Sequence, residues 1–145
     1  MEKTSEKLHR INYLTAEIEW LYHQASLRMG IADSTMRVLY TIYDHGEEDC
    51  PLSCVYKESG ISKQTVNSAL RRLEEQGVLR VESGSGRGKR VILTEEGKEY
   101  VDRTAGRLYR AECALFASWS DEEMDEHIRL MAKYNEAFRQ TLEEL

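Results

Sequence analysis

Apolar positions recur at three and four residues along most of the chain, and between residues 78 and 93 they give way to two short apolar runs around a polar, glycine-rich stretch. From Ser62 to Gly77 the pattern is sharpest. Val66, Ala69, Leu70 and Leu73 fall on one side of a helix. Lys63, Gln64, Asn67, Ser68, Arg71, Arg72 and Glu75 fall on the other, with Thr65 near the border. Ser62 is suited to the N-cap, where its hydroxyl accepts from an orphan N–H of the first turn. Gly77 is suited to the left-handed residue that ends a helix. The spacing therefore predicts a helix over 62–76. Val78-Leu79-Arg80-Val81 and Arg90-Val91-Ile92-Leu93 are β-rich, and residues 82–89 between them hold three glycines and no apolar side chain. Such a pair predicts a hairpin with a long loop, a basic wing over 82–90.

The flanks are helical. Between Thr4 and Met29, Leu8, Ile11, Leu14, Ile18, Leu21 and Ala25 form one stripe, and Tyr13, Trp20 and Leu27 a second. Two apolar faces call for two covers, one from its own domain and one from a second subunit, unless one stripe is simply left partly exposed, as Tyr and Trp often are. Asp33 or Ser34 caps a second helix with Met36, Leu39, Tyr40 and Tyr43 inward, ending near Gly46. Pro51 starts a short third helix through about Glu58, and Gly60 turns into Ser62. After the wing, Thr94-Glu95-Glu96 opens a long helix in which Val101, Ala105, Leu108, Ala111 or Glu112, Leu115 and Trp119 keep the period. Ser120-Asp121-Glu122-Glu123 is a capping-box pattern, and the last helix carries Met124, Ile128, Met131, Tyr134, Phe138, Leu142 and Leu145. That stripe runs to the final residue with nothing after it to cover it, which suggests burial against a partner. The expected fold is mainly α with a small β-hairpin wing, a winged helix-turn-helix flanked by long helices. At 145 residues the chain has the length of one domain, 1–145.

Charge changes the picture in one place. Residues 57–90 hold eight basic and four acidic side chains, a local +4 within a chain of net −6, so the remainder carries −10. Positive charge gathered on one module of an acidic protein suits nucleic-acid binding through that module. Amides, hydroxyls and guanidinium groups on the first turns of a helix are the groups that read base edges, and a basic flexible loop suits phosphate or minor-groove contact. The candidate DNA-binding residues are Ser62, Lys63, Gln64, Thr65, Asn67, Ser68 and Arg71 with Arg72, Arg87, Lys89 and Arg90. Gln64, Asn67, Ser68 and Arg71 are assigned to sequence readout, and Arg72, Lys89 and Arg90 to phosphates.

Other chemistries find little support. No nucleophile elbow, zinc-protease helix, P-loop or dinucleotide fingerprint occurs, so no enzyme and no cofactor is expected. Glu47-Glu48 and Glu74-Glu75 read as solvated faces. Three cysteines, Cys50, Cys54 and Cys113, make an odd count that disfavours a disulfide framework. Cys50 and Cys54 have no histidine-rich motif beside them, so no metal site is expected, and the four histidines look scattered. Trp20, Tyr22, Tyr40, Tyr43 and Tyr109 could line a ligand cavity, although aromatics at this spacing are more often core. The N-terminus lacks a secretory apolar core and no run reaches the ~18 residues of a membrane span, so a cytoplasmic protein is expected.

The run ISKQTVNSALRRLEEQGVLR, followed by GRGKRVILTEEGK, resembles the MarR family of bacterial transcriptional regulators, and the likeness extends over nearly the whole chain. The resemblance implies double-stranded DNA as partner. It also implies a homodimeric repressor on a pseudo-palindromic operator, with a small-molecule effector as its control. It makes 1–30 and 95–145 the helical dimerisation region and 31–94 the winged helix-turn-helix. By position, Gln64, Thr65, Asn67, Ser68 and Arg71 correspond to groove-facing residues and Arg87 to the wing arginine. The chain departs from the pattern at three places. Ser85 stands where an aspartate often holds that arginine, Pro51 where a Thr or Ser cap is common, and Tyr56 where a small residue is usual. The competing reading is a winged-helix protein-interaction module with no DNA role, which an uncharged or acidic recognition face and a short wing would favour.

Overall fold

A computed structural model describes residues 1–46, 49–83 and 88–145. In chain order the elements are α1 (Glu2–Arg28), α2 (Asp33–His45), β1 (Asp49–Pro51), α3 (Leu52–Glu58), α4 (Lys63–Glu75), β2 (Leu79–Ser83), β3 (Lys89–Leu93), α5 (Glu95–Arg103), α6 (Ala105–Phe116) and α7 (Asp121–Glu144). Two units divide the chain, Met1–Tyr109 and Arg110–Leu145.

The core of the first unit gathers around α2. Met36, Val38, Leu39 and Ile42 of that helix are buried together with Val55 of α3, Leu70 and Leu73 of α4 and Val101 of α5. Burying each such side chain contributes about 1.5–3 kcal/mol. More of α2 is inside than its apolar stripe predicted, because Val38, Thr41 and Ile42 are buried too. The N-cap of α2 is Ala32, which makes no side-chain cap bond, and Asp33 is the first helical residue, so neither Asp33 nor Ser34 caps it. Asp33 instead takes a 2.7 Å contact from His23 Nδ1 on α1.

The wing holds a strand that the sequence pattern did not suggest. β1 joins an antiparallel sheet of order β1-β3-β2, with Cys50 opposite Val91 and Val81 opposite Val91 on the other side. Three residues ending in Pro51 carry no strand signal of their own. Their position comes from β3, and the Arg90 guanidinium reinforces it. Its Nη2 donates to the Asp49 carbonyl at 2.7 Å, and its Nε forms an ion pair with Asp49 Oδ1 at 2.6 Å that is short but not well directed as a hydrogen bond. Pro51 then stands at the N-cap position of α3, without a side-chain cap bond, and the helix starts at Leu52.

The long helix expected after Thr94 is divided. Thr94 caps α5 as predicted, accepting from Gly97 N at 2.9 Å, but Thr104 leaves helical geometry at φ −114°, ψ −91°. Its buried hydroxyl donates to the Tyr100 carbonyl at 2.6 Å, the kind of local back-bond that competes with the helical ladder.

In the second unit, Ser120 and Glu123 form the predicted capping box at the start of α7, with reciprocal bonds of 3.1 and 3.0 Å. Phe116, Trp119 and His127 pack ring against ring, with centroids 4.9–6.4 Å apart. Along α7, Glu126 accepts two hydrogen bonds from Arg129, which hold its carboxyl below the usual range. No residue of α7 is buried, and Ile128, Met131, Tyr134 and Phe138 all lie on its exposed surface. In the first unit every residue from 1 to 22 is likewise exposed, including Leu8, Ile11, Leu14 and Ile18. No helix among the described residues is long and apolar enough to cross a membrane.

Candidate nucleic-acid interface

Helix α4 forms because its caps and its stripe agree. Ser62 accepts from Thr65 N at 3.2 Å, and the two hydroxyls share a further 2.7 Å bond. At the far end Val78 N bonds the Leu73 carbonyl and Gly77 N bonds the Glu74 carbonyl, a Schellman closure with Gly77 at φ +74°. Val66, Ala69, Leu70 and Leu73 are buried, which fixes the outward face. Lys63, Gln64, Ser68 and Arg71 are exposed there. Among the described residues Arg71 makes no ion pair, which leaves its fork for an outside partner.

Asn67 is placed differently. It is half-buried, and the Tyr56 hydroxyl of α3 donates to its Oδ1 at 2.5 Å. The same tyrosine ring lies beneath Lys63, with the ammonium 5.0 Å from its centroid. Tyr56 thus orients two recognition-helix residues from the preceding helix. Its only signal in the sequence was a bulky residue at a position that is usually small. Arg72 is exposed and reaches back to Ser34 Oγ at the start of α2, 3.4 Å away.

Helix and wing are joined by two further devices. Glu74, expected to be a solvated charge, accepts from Val81 N of β2 at 2.8 Å and so ties the recognition helix to the wing strand. Thr94 Oγ1 donates to the Gly77 carbonyl at 2.6 Å, and Thr94 N donates to the Val78 carbonyl at 3.1 Å. Gly97 sits against that Val78 carbonyl so closely that a Cβ there would lie 1.7 Å from the oxygen. The Leu-Thr-x-x-Gly motif is therefore the clamp that fixes the wing's angle to α4.

The wing's own charges are partly engaged. Arg80 pairs with Glu82 along β2, and Arg90 pairs with Asp49. Arg90 therefore acts as a staple of the sheet, while Lys89 is exposed one residue before it. Arg87 lies outside the described residues, as do Glu47 and Glu48. The tyrosines proposed as a cavity lining meet in part, Tyr40 and Tyr43 packing on Tyr109 at 5.8 and 5.4 Å, whereas Trp20 packs on His23.

The family model for MarR matches residues 29–90, a segment that runs from α2 through the serine-capped helix α4 and its Schellman turn into the start of β3. Over this segment, the chain is similar to the MarR family. The MarR likeness in fold runs further. A MarR family regulator from Neisseria meningitidis is similar with a TM-score of 0.77 and 21% identity over 99% of both chains. A Staphylococcus aureus MepR–DNA complex is similar at 0.69 and 19%, over 88% of this chain and 93% of that one. Bordetella bronchiseptica BpsR, whose DNA binding is regulated by 6-hydroxynicotinic acid, is similar at 0.62 and 21%, over 87% and 91%. No curated protein matches the sequence.

Proposed function

We propose that this protein is a sequence-specific, double-stranded-DNA-binding transcriptional regulator of the cytoplasm. It acts as a homodimeric repressor on a pseudo-palindromic operator, and an effector alters its affinity. The observation that carries the reading is α4. Its apolar stripe is fully buried, its first turns present Lys63, Gln64, Ser68 and Arg71 outward, and its angle to a basic wing is fixed at Glu74, Thr94 and Gly97. The MepR–DNA complex supports DNA as partner, and BpsR supports an effector. Dimerisation is supported by the exposed apolar faces of α1 and α7, each of which would need cover. Two copies would also bring two α4 helices to half-sites about one helical turn apart.

Selection of bound sequences from a random duplex pool at two salt concentrations tests this. Enrichment of a pseudo-palindrome, with affinity falling steeply as salt rises, is the expected result. No enriched sequence at either salt would reject the regulator reading in favour of a protein-binding winged helix.

Arg71→Ala is expected to cost about 1–3 kcal/mol of operator binding and to relax preference at one base pair, because a guanidinium fork reads guanine through two bonds. Competition against single-base operator variants measures it. An equal loss on every sequence would make Arg71 a phosphate contact.

Tyr56→Phe isolates the hydroxyl. Tyr56 occupies one lone pair of Oδ1 and fixes the orientation of the Asn67 amide, whereas adenine readout needs donor and acceptor turned together to the base edge. Removing the hydroxyl keeps the ring under Lys63 and releases Oδ1. The expected result is a gain of preference for adenine at one operator position, of up to about 1–3 kcal/mol. An unchanged preference profile would show that the Tyr56–Asn67 bond has no part in readout.

A further inference from the structure

The ends of α2 and α3 bring together three metal-ligating side chains that the spacing of cysteines and histidines did not reveal. His45 is the last residue of α2, and Cys54 and Glu58 stand one turn apart on α3. An imidazole nitrogen of His45, Cys54 Sγ and a Glu58 carboxylate oxygen all lie within 4.8 Å of one another. We propose that His45, Cys54 and Glu58 form a binding site for a zinc-class divalent cation.

The chemistry of the set is selective. Thiolate and imidazole favour zinc over magnesium or calcium, which take oxygen ligands. A thiolate and a carboxylate carry two negative charges, which one divalent cation neutralises, and binding releases the thiol proton to solvent. Tetrahedral zinc holds sulfur at about 2.3 Å and nitrogen or oxygen at about 2.0–2.2 Å, with water in the fourth position. The three ligand atoms would have to draw in by up to about 1 Å to reach tetrahedral spacing, and the exposed Glu58 side chain can supply much of that movement. His45 and Cys54 are half-buried and supply the fixed side of the site.

The consequence for DNA rests on the regulator reading above. Tyr56 lies between Cys54 and Glu58 on α3 and holds Asn67 of α4. A cation joining α2 to α3 would fix the helix that orients the recognition face.

Cobalt(II) titration of the reduced full-length protein decides the site. The expected result is a thiolate-to-cobalt charge-transfer band that saturates at one ion per chain and is bleached by zinc. It should be lost in Cys54→Ser and in His45→Ala, and kept in Cys113→Ser, with wild-type far-ultraviolet dichroism in each variant. No band, or a band that survives Cys54→Ser, would overturn the proposal. Operator titrations with and without zinc then read the coupling, expected as a shift of at least about fivefold in the wild type and none in Cys54→Ser. An operator affinity indifferent to zinc would remove the coupling. A chain that binds cobalt but no DNA would instead remove the regulator reading and leave the site standing.

Discussion

Gly97→Ala is expected to destabilise the first unit by about 1–3 kcal/mol or more and to abolish high-affinity operator binding, although residue 97 need not touch DNA. The added methyl would sit 1.7 Å from the Val78 carbonyl oxygen and 2.7 Å from its carbon. Both are backbone atoms, so no rotamer change relieves the clash. Residue Val78 closes α4 through its bond to Leu73 and also opens the wing, and its carbonyl accepts from Thr94 N. Moving it separates α5 from the α4–wing junction and changes the angle between recognition helix and hairpin. Thermal denaturation should show a fall of roughly 5–15 °C, given about 2–8 °C per kcal/mol for domains of this size. Gly88→Ala is the matched control. Gly88 has φ +78°, so alanine is strained there, yet nothing lies within 4 Å of its added Cβ, and the loss should be smaller. A Gly97→Ala protein as stable as Gly88→Ala would show that the junction yields, and the clamp would no longer explain the motif.

That junction also shows what could be known from sequence. The ends of α4 were legible because their signals are local. Ser62 and Gly77 act within four residues of the bonds they make, and the stripe between them has helical period. Thr94 was legible as a cap for the same reason, but its second role, holding Gly77 and Val78, joins residues sixteen or seventeen apart. β1 was missed because its pairing is dictated by β3, forty residues onward, and not by its own composition. The break at Thr104 was missed because a threonine at a helical position signals nothing until its hydroxyl is seen to bond Tyr100. Glu74 looked like a solvated charge because its partner is a backbone N–H, which any residue at position 81 other than proline would supply. Side-chain identity alone cannot announce such a bond. The same limit hid Tyr56–Asn67 and the meeting of His45 with Cys54 and Glu58, since both depend on how two helices are placed.

Charging the exposed stripe of α7 is expected to have a large effect on function. On that helix Met131 is 53% and Phe138 46% exposed, with Ile128, Tyr134 and Leu142 on the same surface. A helix that is apolar along one side and buried nowhere gains little from its own unit. If a second chain covers it, each of these side chains contributes about 1.5–3 kcal/mol to association. Replacing Met131 and Phe138 together by glutamate would place two carboxylates per chain in that contact, where desolvation opposes pairing. Sedimentation equilibrium at micromolar concentration should then report the mass of one chain, against two for the wild type. Operator affinity should fall by about 10²–10⁴-fold, because the second half-site would no longer bind as an intramolecular event. Affinity for a single half-site should change little, since α4 and the wing lie in the other unit. A variant that keeps the wild-type mass would exclude α7 as the dimer contact. A variant that becomes monomeric yet binds the full operator as before would show that one chain suffices, and the pseudo-palindrome argument would fail with it.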